Sequence, residues 1–248
     1  MATAVIDATT ISSLLAALSL LLVAYFSSKA LQPSSTSSAA RTLFIWHLFD
    51  ALIHFIFEGS FLYNCFYVFQ STSVALNHLG GGGHYYYSFT PPGVYFGGQD
   101  NKWRIHGAGY GTGWSSKLWQ EYANADRRWG GVDLTVVSLE VLTVGIGGPL
   151  ALWVCWMLRK GEVNGKTAFW MTVLATGELY GGFMTFAPEW FSGSPHLNTS
   201  SFLYLWVYLI FFNMLWVFLP LYSLYVAYGA LTGRSVSKRA SKKAVKSA

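Results

Sequence analysis

One apolar stretch of this 248-residue chain carries His47, Asp50, His54 and Glu58 at spacings of three, four and four residues. On a helix that spacing stacks the four side chains along a single stripe. Other apolar stretches add Glu140 with Thr143 one turn on, Glu178 beside Tyr180, and Asn213 with Trp216 one turn on. An ionisable residue inside such a segment costs about 2.5–3.5 kcal/mol on insertion scales, so each one that persists is a functional candidate. A buried glutamate next to a histidine can hold or exchange a proton near neutral pH, and Glu58 and His54 form such a couple. Glu140, on another helix, is placed to stabilise positive charge, and the face of Trp216 offers a cation–π partner. No serine or cysteine nucleophile, regular metal-ligand spacing, phosphate loop or dinucleotide fingerprint accompanies them. The chemistry favoured is acid–base work on a hydrophobic substrate, with no cofactor and no metal.

The plainer role for such groups is interhelical pairing, at about 0.6 kcal/mol per contact. Asparagine or threonine would serve that purpose, and three glutamates with two histidines exceed it. Taken singly, His47, Asp50 and Glu178 fit the pocket and the scaffold equally well, and Asp50 has the reach to hold either histidine through a ring N–H. Tyr180 is kept as a substrate-binding candidate, although packing or an interfacial belt is the ordinary use of such an aromatic.

The elements that must position these residues follow from composition. Charged residues make up 11% of the chain, against the roughly 25% usual in soluble domains, while 53% of the residues are hydrophobic. This excludes an ordinary soluble enzyme and a disordered chain. Five stretches, at about 11–32, 42–70, 132–158, 167–187 and 202–231, approach the 20 or so apolar residues of a membrane span. The fold class expected is an all-α membrane protein, a bundle of five transmembrane helices enclosing a cavity. No Lys or Arg precedes the first stretch, so it reads as a retained helix and not as a signal peptide. With five spans, 11 of the 16 Lys and Arg fall on one side, six of them in the tail after residue 231. The positive-inside rule then puts the C-terminus in the cytosol. The net charge of +5 therefore reports orientation and contact with the lipid bilayer, and no nucleic acid partner is implied.

The domains expected are residues 1–40 as first helix and linker, 41–231 as the main membrane domain, and 232–248 as a basic cytosolic tail. Within the second, residues 71–116 hold GGGG, YYY and a Pro-Pro pair. This composition predicts a cap of aromatic-lined hairpins across the membrane from the tail. His78, His84 and His106 lie there without regular ligand spacing.

The stretches IHFIFEG (53–59), LWQEYANADRRW (118–129), VSLEVLTVGIGGPLALWV (137–154), GELYGG (177–182) and FFNMLWVFLP (211–220) together resemble the emopamil-binding protein family of sterol Δ8–Δ7 isomerases. The resemblance covers about 41–231 apart from the glycine-rich insertion, and the joint presence of HxxxEG, the third-span glutamate and NxxW makes it specific. The wider superfamily includes the sigma-2 receptor. The resemblance implies a multipass protein of the endoplasmic reticulum membrane whose helices enclose a sterol pocket. Carried over residue by residue, it implies catalytic roles for His54, Glu58 and Glu140, with Thr143, Asn213 and Trp216 lining the same cavity. The implied reaction protonates a ring double bond, passes through a carbocation and deprotonates a neighbouring carbon.

Three departures from the family pattern stand out: the long loop after the second span, Gly182 where an aspartate is usual, and Ser60 where a large aromatic is usual. They leave the proton-transfer residues in place. Another polycyclic terpenoid therefore stands beside a sterol as substrate, for isomerisation or cyclisation. Non-catalytic sterol binding or trafficking is a third reading, against which the retained histidine argues. A homodimer is a further candidate partnership.

Overall fold

The structure, a computed structural model, describes residues 6–71 and 104–233. Helix α1, Ala8–Leu31, begins at a capping box in which Asp7 Oδ1 accepts from the N–H groups of Thr9 and Thr10 and Thr10 Oγ1 accepts from Asp7 N–H. Helix α2, Ser38–Tyr67, begins where Ser37 Oγ accepts from Ala40 N–H at 3.2 Å. Strand β1, Phe69–Ser71, then pairs antiparallel with β2, Arg104–His106. Helix α3, Trp114–Ala123, is short and amphipathic. Helix α4, Leu134–Leu158, is capped by Asp133, and α5, Gly165–Ser192, by Asn164. Helix α5 ends at Gly193, whose φ of 82° is the left-handed stop that glycine adopts without strain. Helix α6 is Leu203–Leu231.

The chain is an all-α membrane protein. Among the described residues four helices, α1, α2, α4 and α6, are long and apolar enough to cross a bilayer, at 24, 30, 25 and 29 residues. Helix α5, the fourth expected span, is as long at 28 residues, but Lys166, Glu178, Glu189 and its threonines and glycines dilute its apolar character. The side chains turned away from the bundle are large and apolar, among them Leu21, Phe26, Trp156, Phe183, Phe211 and Tyr225. In water that surface would be a liability, whereas against lipid it is the required exterior.

Among the described residues three π-helical segments interrupt the long helices: Ile53–Glu58 in α2, Thr143–Gly147 in α4 and Leu203–Phe212 at the start of α6. A π turn widens the helix and frees backbone groups, and such turns concentrate at functional sites. Two packed layers bracket these segments. On one side Leu43, Phe44, Val154, Leu158, Met171 and Val226 lock α2, α4, α5 and α6 together. On the other Phe61, Trp119, Trp129, Val132 and Val136 join α2, α3 and α4, with the rings of Trp119 and Trp129 stacked at 4.8 Å.

The expected hairpin cap lies mostly outside the described residues, including the glycine and tyrosine runs, His78 and His84. At its margins β1 and β2 close the base of the insertion. Residues 108–116 are not structureless, since they form a 3-10 turn, Ala108–Tyr110, and the first turn of α3. The basic tail beyond residue 233 also lies outside the described residues.

Candidate active site

Between the two layers lies a cavity of about 710 Å³, reached by side chains from α1 to α6. Its size falls within the roughly 300–1,000 Å³ of small-molecule sites, and its walls are overwhelmingly apolar. His54, Glu58, Glu140, Thr143, Tyr180, Asn213 and Trp216 all line it. The structure thus gathers every residue singled out for catalysis or substrate contact, from four helices, around one space. Glu178 lines it too, whereas His47 and Asp50 stand behind the wall.

His54 is the hub. It is 2% exposed, and both ring nitrogens meet carboxylates on its own helix: Nε2 lies 3.1 Å from Asp50 Oδ1, and Nδ1 contacts Glu58 Oε2. Spacings of four residues in each direction, with the π segment beginning next to the histidine, put one carboxyl on each ring nitrogen. Across the cavity the Glu140 carboxyl faces that of Glu58, close enough for the two to pair. Two carboxyls can make that contact only when one carries a proton, so the pair is built to share one. Thr143 Oγ1 donates to Glu140 Oε2 at 2.9 Å and fixes the carboxyl from one turn away. Gly147 packs beside the imidazole, where a methyl group would sit at ordinary contact distance, 3.5 Å from His54 Nε2.

Asn213 serves the helix as well as the cavity. Its amide donates to the Tyr208 and Leu209 carbonyls, at 3.0 and 2.9 Å, at the end of the π segment that frees them. It also donates to Tyr122 Oη at 3.2 Å. Burial pushes the Tyr122 hydroxyl well above its usual range, with Asp126 adding to the effect, so this group stays a neutral acceptor. Trp216 Nε1 donates to Asp50 Oδ1 at 2.8 Å, and its ring stands edge-on to Trp46 at 5.3 Å, which sets the indole face. Tyr180 is 64% exposed and marks the edge of the cavity, at the lipid side.

Sequence reasoning missed several groups that hold this arrangement. Glu121 on α3 is buried and accepts from Thr10 Oγ1 at 2.9 Å and from Tyr208 Oη at 2.8 Å, tying α1, α3 and α6 together. Arg128 grips Asp126 with two bonds, at 2.9 and 2.6 Å, and donates to the Thr185 carbonyl at 2.6 Å, which fastens the loop before α4 onto α5. Burial raises the Asp126 carboxyl above its usual range, and the guanidinium works against that shift. Only the joint run of acidic and basic residues at 121–128 hinted at this role.

Comparison with known proteins bears on the same segment. Residues 114–227 match the family model described as EXPERA (EXPanded EBP superfamily). A protein named 3-beta-hydroxysteroid-Delta(8),Delta(7)-isomerase from Cavia porcellus is 35% identical over 106 residues, which is 42% of this chain and 45% of that one. Its namesake from Mus musculus is 31% identical over 105 residues, with the same coverage of both chains. A probable 3-beta-hydroxysteroid-Delta(8),Delta(7)-isomerase from Oryza sativa subsp. japonica is 25% identical over 184 residues, 74% of this chain and 64% of that one. The chain thus spans about half the length of the animal relatives it matches. The family match takes in Glu140, Thr143, Tyr180, Asn213 and Trp216, while His54 and Glu58 precede it. It bears out the resemblance read from the motifs: over residues 114–227 the chain is similar to the EXPanded EBP superfamily.

Proposed function

We propose that the protein is a membrane isomerase that moves a ring double bond of a sterol from Δ8 to Δ7. One observation carries this reading: a protonatable chain of Glu140, Glu58 and His54 faces an apolar cavity that Trp216 also lines. The shared proton of the Glu58–Glu140 pair passes to C9, and the C8=C9 π electrons form the new C9–H bond. The positive charge left at C8 faces the vacated carboxylate and the indole of Trp216. The C7–H electrons then form the C7=C8 bond, and the C7 proton returns to the carboxylate group, with His54 relaying between carboxyls. No electron changes hands. A carboxylic acid is weak against an unactivated alkene, so stabilisation of the cation by the carboxylate and the indole must supply much of the rate.

Two further elements belong to this proposal. The bundle spans the endoplasmic reticulum membrane five times, α5 included, with the C-terminus in the cytosol. The substrate enters from the bilayer at the edge marked by Tyr180.

The test is turnover of a Δ8-sterol in heavy water by microsomes carrying the protein, read by mass spectrometry. The expected product is a Δ7-sterol with one deuterium at C9, abolished by Glu58→Gln and by Glu140→Gln. A folded wild type that gives no product refutes the sterol reading. A second reading, another polycyclic terpenoid, has its own support. Gly181 and Gly182 line the cavity, and a methyl group on either would meet nothing within 4 Å, so the edge has room for a differently shaped ring system. New products from non-sterol terpenoids in the same microsomes would favour it.

A further inference from the structure

Behind the cavity wall, Asp50 is fully buried, and a single one of its oxygens meets two ring nitrogens. His54 Nε2 lies 3.1 Å from Oδ1, and Trp216 Nε1–H donates to the same Oδ1 at 2.8 Å. The proton-relaying imidazole and the indole that faces the cation, 162 residues apart in the chain, therefore hang from one atom. The other oxygen, Oδ2, receives no N–H or O–H from any conventional donor among the described residues, and neither oxygen of Glu178 does either. Yet a carboxyl oxygen of Glu178 lies within 4.8 Å of one of Asp50, inside a site where both are buried. A contact between two carboxyls requires a proton on one of them. Asp50 accepts from the Trp216 N–H and faces His54 Nε2 on Oδ1, which favours its ionised form and puts the proton on Glu178.

We propose that Asp50 is the positioning residue of the active site, and that the Glu178 carboxyl, by donating a hydrogen bond to it, holds its charge in place. Asp50 fixes the orientation of His54, so that Nε2 points inward and Nδ1 stays on Glu58. It also stabilises the imidazolium that forms whenever His54 takes a proton from Glu58. Through Trp216 it holds the indole face toward the reacting ring. A buried aspartate behind a catalytic histidine has this effect in other enzymes, where replacing the carboxylate by an amide costs about 10⁴ in kcat. His47 lies close enough to Asp50 and Glu178 for one cation to touch all three. The shared proton takes the place of such an ion.

This inference rests on the acid–base reading of the cavity, and its first test does not depend on the substrate. In detergent-solubilised protein labelled with ¹⁵N-histidine, we expect a strongly downfield ring N–H proton resonance that is absent in His54→Ala. It should move upfield in Asp50→Asn and in Glu178→Leu, and persist in Glu178→Gln, whose amide can still donate to Asp50. An unmoved resonance in Asp50→Asn would overturn the proposal. So would a stoichiometric metal ion in the purified wild type whose removal by chelator abolishes the resonance. The second test uses Δ8-sterol turnover. Asp50→Asn should lower kcat by about 10²–10⁴-fold with KM little changed, and Glu178→Gln should restore most of what Glu178→Leu loses. An Asp50→Asn enzyme with wild-type kcat sinks the positioning role. A silent wild type whose resonances behave as described would refute the sterol substrate and leave the positioning role standing.

Discussion

Thr143 makes the smallest testable contribution to the site. Its hydroxyl donates to Glu140 Oε2 at 2.9 Å, with the Glu140 carbonyl also in reach at 3.1 Å, so it orients the carboxyl that the proposed mechanism sets between Glu58 and the substrate. A hydrogen bond to a charged or proton-sharing group is worth about 1.5–3 kcal/mol. Thr143→Val, which keeps the shape and removes the donor, should therefore lower kcat by roughly tenfold or more, since 1.4 kcal/mol is a factor of ten. Thr143→Ser should stay near wild type, and steady-state turnover by microsomes checks both. At this scale the residue types were legible, because an ionisable group in an apolar helix stands out whatever it contacts. Their pairings were legible only within one helix. His54 with Glu58 follows from a spacing of four, whereas the bond from Trp216 to Asp50 joins residues 166 apart and is invisible until the helices pack.

At the scale of elements, the three π segments of the described residues fall next to the residues proposed to do the chemistry. One starts beside His54 and ends at Glu58, one follows Glu140, and one ends at Asn213. Hydrophobic periodicity places a helix there, but it does not distinguish a widened turn from an ordinary one. The short elements between α2 and α4 were harder still to foresee, because their stability comes from contacts with distant backbone. Gly107 has φ of 134°, donates to the Val68 carbonyl at 3.0 Å and packs directly on Gly130 and Gly131. A Cβ there would lie 2.7 Å from Gly131 Cα and 2.8 Å from the Gly130 carbonyl oxygen, neither of which can rotate away. Gly107→Ala should therefore destabilise the protein by about 1–3 kcal/mol or more, through strain and overpacking together. A thermal-unfolding midpoint in detergent unchanged from wild type would contradict this account. Gly113→Ala is the control, because that position opens onto free space.

For the whole molecule, orientation is the property with the most direct check. With five spans the tail holding Arg234, Lys238, Arg239, Lys242, Lys243 and Lys246 lies on the same side as Arg159 and Lys160. Protease added to intact microsomes should remove a C-terminal epitope and leave an N-terminal one protected; loss of both, or survival of both, would mean that α5 does not cross. The sequence alone determined that the chain is an all-α membrane protein, which family it resembles and which seven side chains belong near one another. Composition, spacing and charge asymmetry are properties of the chain itself, and the bilayer punishes every exception to them. The tertiary structure decided which of those side chains touch. It put a carboxylate on each nitrogen of His54, took Asp50 out of the cavity wall to hold Trp216, gave Glu178 to Asp50, and bound α1, α3 and α6 through Glu121. These pairings depend on how far each helix is rotated and how closely it approaches its neighbours. Packing across the bundle sets both, and no local run of residues encodes them.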